Sequence, residues 1–140
     1  FYQRKEQKGF SKQGFMNTLG ATLESICLGK CEIILPYDSK LTQQHGLFHG
    51  GVIAAIADNS AGFAAYSLME ENYQPLSIEF KINFLSTAKG EKLKAKAEVL
   101  NAGKRIFHVR SDVYLLNEDQ EQLVASALAT IKATRTVSEL

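Results

Sequence analysis

The sequence predicts an α+β fold in which one long helix lies against an antiparallel sheet. Three observations predict it. Residues 50 to about 69 contain no proline, are rich in alanine and are apolar nearly all the way round, as in a helix buried on most sides. Leu76, Ile78, Phe80, Ile82 and Phe84 alternate with Ser77, Glu79, Lys81 and Asn83, the period of a strand with one buried face. Three more strand-like runs follow, separated by short turns at 88–90, 101–104 and 117–120. Turns that short join antiparallel neighbours.

The elements follow in chain order. Residues 1–20 form a weakly organised N-terminal segment. Within it 11–19 suit a short helix with Ser11 as N-cap and Phe15, Met16 and Leu19 as its apolar side. Residues 21–35 read as a strand, with an interruption at Gly29 and Lys30. On such a strand Cys27 and Cys31 stand on one face about 13 Å apart, beyond the reach of a disulfide. Two free thiols fit a reducing compartment. Pro36, Asp38 and Ser39 mark a turn before the helix. After the strand at 76–84, Leu93, Ala95, Ala97 and Val99 alternate with Lys92, Lys94, Lys96 and Glu98. Next, Phe107, Val109, Val113 and Leu115 share one side of a strand at 106–116, and 123–133 closes the set. Residues 75–133 therefore read as one meander of consecutive hairpins. A single helix covers one face of such a sheet, which leaves the other to seek a partner and predicts an oligomer.

Composition excludes several classes. The 140 residues suit a single domain, 1–140. Sixteen basic and 15 acidic side chains give a net charge of +1, without the basic stripe that nucleic-acid binding uses. No run approaches the roughly 20 apolar residues of a membrane span. The first residues, FYQRKEQKGF, lack a signal-peptide core, so a cytoplasmic location is expected. The chain opens on Phe1 and not on Met, which leaves room for residues ahead of it.

The chemistry concentrates at 43–62, QQHGLFHGGVIAAIADNSAG. His49 and Gly50 fall where the helix begins, and free backbone N–H groups point outward there. Such a donor can hold a developing oxyanion. The plainer alternative is a tight loop-to-helix corner with His49 as a cap. Asp58 follows nine residues after His49, which is two and a half turns at about 100° per residue. It therefore projects from the opposite side of the helix, about 13 Å along. If both act in one site, the acid comes from a neighbouring subunit; otherwise Asp58 pairs locally near Asn59 and Ser60. His45 and His49 have an HxxxH spacing, but Gly46 lies between them and His108 is remote in the sequence, so no metal centre is expected. No GxSxG elbow and no phosphate-binding glycine loop is present.

The run HGGVIAAIADN at 49–59 is preceded by Gln43 and followed by LSIEFKINFLSTA. With the lysine-patterned strand, the Gly103 loop and the closing LVASALATIKA, it resembles the hotdog-fold thioesterases related to the phenylacetic acid degradation thioesterase, the PaaI-like family. The resemblance covers nearly the whole chain. It implies a hotdog fold, an antiparallel β-sheet wrapped around one long central helix. It also implies homodimers, commonly paired into tetramers, with active sites at the dimer interface that hydrolyse acyl-CoA to a carboxylic acid and CoA. By that resemblance Asp58 is nucleophile or general base, and the Gly50 N–H polarises the thioester carbonyl. His49 shapes the same hole. Ser77 holds the attacking water, and Gln43 stands where many members carry Asn. CoA, as part of the substrate, would run along the strand at 77–86, with Asn83, Ser86 and Gly51 beside it and Lys104 and Arg105 at its phosphates. No separate cofactor is implied. Phe63, Tyr66, Phe80 and Phe84 are candidate walls for the acyl group. Two alternatives remain: a non-catalytic acyl-CoA or lipid-binding module on this fold, and a hotdog dehydratase.

Overall fold

The computed structural model describes residues 2–135. Phe1 and 136–140, the ends of the domain expected over 1–140, lie outside the described residues. Two short helices, α1 (Tyr2–Ser11) and α2 (Gly14–Leu19), precede a hairpin of β1 (Thr22–Cys27) and β2 (Lys30–Pro36). A 3-10 turn at Ser39–Leu41 leads to the long helix α3 (Gly50–Tyr66). Four strands complete the chain: β3 (Gln74–Phe84), β4 (Lys92–Ala102), β5 (Ile106–Asn117) and β6 (Gln120–Thr134). One six-stranded sheet runs in the order β1-β2-β4-β5-β6-β3, and every pair is antiparallel. The sheet curls about α3, which touches all six strands. Ile53, Ile56, Ala57, Ala61 and Ala64 of the helix meet Ile33, Leu35, Leu93, Val109, Val113 and Ile131 in one core. Small alanines let the strands come close to the helix axis. On β4 the lysines take the outward positions while Leu93, Ala95 and Ala97 are buried, so its alternation is read correctly from sequence.

Several expectations are corrected. The meander holds only for β4, β5 and β6. β3 pairs with β6, through partners such as Phe80 and Ala129, and forms an edge of the sheet. From β3 to β4 is three strand spacings, about 14 Å. The seven residues 85–91 between them span that comfortably, so loop length alone does not require a hairpin. The connection is pinned by the buried Ala88, whose carbonyl accepts from the Phe48 N–H at 2.8 Å.

The apolar face of β3 is only partly buried within the chain. Phe80 and Ile82 pack half-buried against the core, while Ile78, at a bulge between Ser77 and Glu79, is 53 % and Phe84, at the end of the strand, 54 % exposed.

Residues 21–35 form a hairpin, not one strand. Gly29, at φ +78°, makes the reversal, a conformation glycine adopts without steric cost. Cys31 stands opposite Ile26 in the core, and Cys27 stands opposite Lys30. The two cysteines therefore face opposite sides of the sheet. Both are free, Cys31 buried and Cys27 exposed.

Ser11 ends a helix and starts none. Its Oγ donates to the Lys8 carbonyl of α1, and Gln13 takes the N-cap of α2 without a side-chain bond. Met16 and Leu19 are buried as expected, while Phe15 is exposed. The charged α1 was not expected to be a helix. Docking on β1 and α3 holds it: Phe10 packs on Phe63 with ring centroids 5.6 Å apart. Lys5 Nζ donates to the Tyr66 and Met69 carbonyls, a favourable place for a cation at a helix C-terminus. Among the described residues, no helix is long and apolar enough to cross a membrane.

Candidate active site

Asp58 stands half-buried near the middle of α3. Ser77, on the inward side of β3, donates from its Oγ to Asp58 Oδ1 at 2.7 Å. A bulge between Ser77 and Glu79 breaks the register at this point; bulges of this kind re-aim side chains. The pair lies between two hollows. One, of about 260 Å3, is walled by Gly9, Gln13, Asn59, Gly62, Phe63, Tyr66, Gln74 and Pro75. The other, of about 420 Å3, is walled by Ala54, Ala55, Ile78, Glu79 and Phe80. Asn59 Nδ2 donates to Gln13 Oε1, which ties the α1–α2 segment to the helix beside Asp58.

The start of α3 is built separately. His49 is its N-cap, and its Nδ1 accepts from the Gly51 N–H at 2.8 Å. That bond fixes Nδ1 as an unprotonated acceptor. A Cβ on Gly51 would lie 3.0 Å from it, so glycine is what lets the imidazole fold over the helix end. The Gly50 N–H has no partner among the described residues. The Phe84 ring lies 3.4 Å from where a Gly50 Cβ would sit. Gln43 Oε1 accepts from the His45 and Leu47 N–H groups. Its carbonyl thus holds its own loop, and only the amide NH2 is left to act.

The chain therefore brings Asp58 and Ser77 together and keeps them from the helix start. Neither hollow beside Asp58 touches Gln43, His49, Gly50 or Gly51. Asn83 Oδ1 accepts from Lys81 Nζ, and Ser86 Oγ accepts from Gln122 Nε2, both toward the end of β3 nearer Gly50. Lys104 and Arg105 line a different hollow with Met69, Tyr73 and Phe107. It lies past the C-terminus of α3, whose last residue, Tyr66, is already eight residues or about 12 Å along the helix axis from Asp58. There the Arg105 guanidinium stands 4.7 Å from the Tyr73 ring centre. Of the expected acyl walls, Phe63 and Tyr66 line the smaller hollow and Phe80 the larger, while Phe84 covers Gly50. Sequence reasoning missed Gly9, Gln13, Asn59, Gly62 and Gln74. Gly62 was within reach, since four residues after Asp58 is the same helix face. The α1 residues had no such signal.

Two half-sites on one helix, one a helix-start amide and the other an acid with a hydroxyl, have the parts of a thioester hydrolase. The model of the thioesterase superfamily matches residues 45–122. The chain belongs to the thioesterase superfamily. A crystal structure of a thioesterase family protein from Silicibacter pomeroyi is 38 % identical, with 97 % of this chain and all of that one covered and a TM-score of 0.95. The 1,4-dihydroxy-2-naphthoyl-CoA hydrolase of Listeria monocytogenes is 25 % identical, over 84 % of this chain and 94 % of that protein. The PaaI protein of the Escherichia coli phenylacetic acid degradation operon is 19 % identical and has the same fold, at a TM-score of 0.84 over 95 % of this chain and 93 % of that one. This thioesterase thus has the hotdog fold, and it is a thioester hydrolase.

Proposed function

We propose that this thioesterase hydrolyses acyl-CoA to a carboxylic acid and CoA, at sites completed across a homodimer. The hydrogen bond from Ser77 to Asp58 carries the proposal, because it aims a carboxylate into an open hollow with a hydroxyl beside it. The similarity to a naphthoyl-CoA hydrolase supports a CoA thioester as substrate class.

β3 supports the shared site. Its Ser77 end lies at Asp58 and its Phe84 end at Gly50. It is a free sheet edge with Ile78 and Phe84 exposed, and such an edge invites pairing. Antiparallel pairing of two β3 strands about an axis near Phe80 and Lys81 would set the Ser77 end of one copy beside the Phe84 end of the other. Asp58 of one chain then faces the Gly50 N–H of its partner. The same symmetry brings Gly51, Asn83 and Ser86 to the CoA arm. The acyl carbonyl oxygen accepts from the Gly50 N–H, with the Gln43 NH2 as a second donor, and His49 holds that corner through Gly51. Asp58 takes a proton from a water steadied by Ser77. The hydroxide attacks the carbonyl carbon, the C–S bond breaks, and the CoA thiolate leaves to regain a proton. Attack by the Asp58 carboxylate itself, with water cleaving the resulting anhydride, gives the same products.

The test is Asp58→Asn assayed by thiol release and by acyl-CoA binding. A loss of about 10³-fold or more in kcat with binding kept is expected. Turnover near that of the wild type refutes the role of Asp58. A wild-type protein that binds acyl-CoA and releases no thiol is the binding module instead.

A further inference from the structure

Resting on the hydrolase reading above, we propose that the absent side chain of Gly62 makes the acyl chamber and limits the bulk of acyl group the enzyme accepts. Gly62 lies one turn of α3 beyond Asp58, and both line the hollow of about 260 Å3. A Cβ placed on Gly62 meets no atom within 4 Å. The other glycines of α3 differ: a Cβ on Gly50 meets Phe84, and one on Gly51 meets His49. Nor is Gly62 among the glycines at positive φ. Neither packing nor backbone conformation therefore calls for glycine here. Mid-helix glycine costs about 1 kcal/mol relative to alanine, and no contact in the fold offsets it. What its absence of a side chain does leave is space next to the acid. A cavity of about 150 Å3 suffices for a benzene-sized group, so this hollow holds an acyl group well beyond acetyl.

Position sets the selectivity. Residues four apart on a helix have Cβ atoms about 5–6 Å apart. A carbonyl held at Asp58 thus puts the body of the acyl group, not its first carbon, beside Gly62. The rest of the wall comes from Gly9 and Gln13 and from Gln74, Pro75 and Ser77 of β3, with the Phe63 and Tyr66 rings beside Gly62 on α3 itself. A Cβ built on Gly9 would stand 3.6 and 3.8 Å from those rings, ordinary contact distances, so no more than a methyl group fits between α1 and the rings on that side. A side chain at Gly62 must then exclude bulky acyl groups and spare acetyl and propionyl groups.

The experiment is a panel of acetyl-, propionyl-, hexanoyl- and phenylacetyl-CoA with wild type, Gly62→Ala and Gly62→Leu. Gly62→Leu should lower kcat/KM for the hexanoyl and phenylacetyl substrates by about 100-fold and change the two short ones by less than about threefold. Gly62→Ala should melt no lower than wild type, which shows that the fold does not use the vacancy. An equal loss on all four substrates, no loss on any, or a wild type confined to the two short substrates overturns the proposal. So does a lowered melting temperature of Gly62→Ala. If the wild type hydrolyses none of them, the proposed acyl-CoA reading fails by itself. The chamber is then scored by calorimetry with S-ethyl- and S-hexyl-CoA: weaker binding of only the hexyl thioether by Gly62→Leu upholds it, and unchanged binding overturns it.

Discussion

Replacing Glu6 by Gln should stabilise the protein at neutral pH and flatten the dependence of its stability on pH. Glu6 of α1 is fully buried, and neither carboxyl oxygen has a partner among the described residues. Burial pushes its pKa from an ordinary value near 4.5 up to about 8, against the opposing pull of Lys5. Its neighbours respond in kind. The Cys31 thiol is raised first by burial and next by the Glu6 charge, with Glu32 adding to it. The Tyr66 hydroxyl is raised by burial and by Glu6, against a hydrogen bond from Gln74. Between pH 4.5 and 8 the unfolded chain has released the Glu6 proton and the folded chain has kept it. The folded state binds more protons, so stability falls as pH rises through this window. Each pH unit costs about 1.4 kcal/mol, which amounts to about 3 kcal/mol at pH 7 and levels off above pH 8. Gln keeps the shape and carries no proton to lose. Its amide is as short of partners as the protonated carboxyl, so the pH-independent cost of burial is shared. The assay is urea unfolding of both proteins at pH 5, 6, 7 and 8, at one protein concentration because the proposed dimer would link stability to concentration. The advantage of Glu6→Gln should be under about 1 kcal/mol at pH 5 and near 3 kcal/mol at pH 7. Parallel stability curves across the whole range would refute the buried, unpaired carboxyl.

Ser77→Ala removes the hydroxyl that donates to Asp58 and should lower kcat by about 10- to 100-fold with KM little changed, read by steady-state thiol release; a loss larger than that of Asp58→Asn would reverse the order of importance. His49→Ala removes the cap on the Gly51 N–H and should cost about 1 kcal/mol in denaturant unfolding. An unchanged midpoint would mean that the imidazole cap contributes nothing to the helix start.

Much of the architecture was legible because it rests on periodicity. The all-round apolar run gave α3, the alternating lysines gave β4, and the turn at 117–120 gave the β5–β6 hairpin. The position of β3 was not legible, since seven residues suit a wide hairpin and a crossing equally. Nor was α1. Its Phe10 packs on Phe63 of a helix more than forty residues away in sequence, and no local pattern encodes such a contact. At the site, helical phase alone separated His49 from Asp58, and the structure keeps them apart. The partnership of Asp58 with Ser77 came from family resemblance, because the two belong to different elements.

The elements that sequence reasoning placed least well are those that turn a stable core into a site. β1, β2, β4, β5 and β6 with α3 bury the large side chains. β3 adds little to that core: its inward residues are half-buried at most. It carries Ser77 to Asp58 at one end and Phe84 to Gly50 at the other. A strand with so little burial of its own gains most from a second copy, whose pairing would satisfy its edge and cover Ile78 and Phe84. In the proposed dimer the same strand therefore supplies both the drive for association and the alignment of the two half-sites. α1 plays the corresponding part on the other side. It packs through Phe10 and Lys5, contributes Gly9 to the wall of the chamber, and keeps an unpaired carboxyl in its interface. An interface carrying that penalty at neutral pH is weaker than its apolar contacts imply. The chamber wall opposite Gly62 is thus held less firmly than the core behind it.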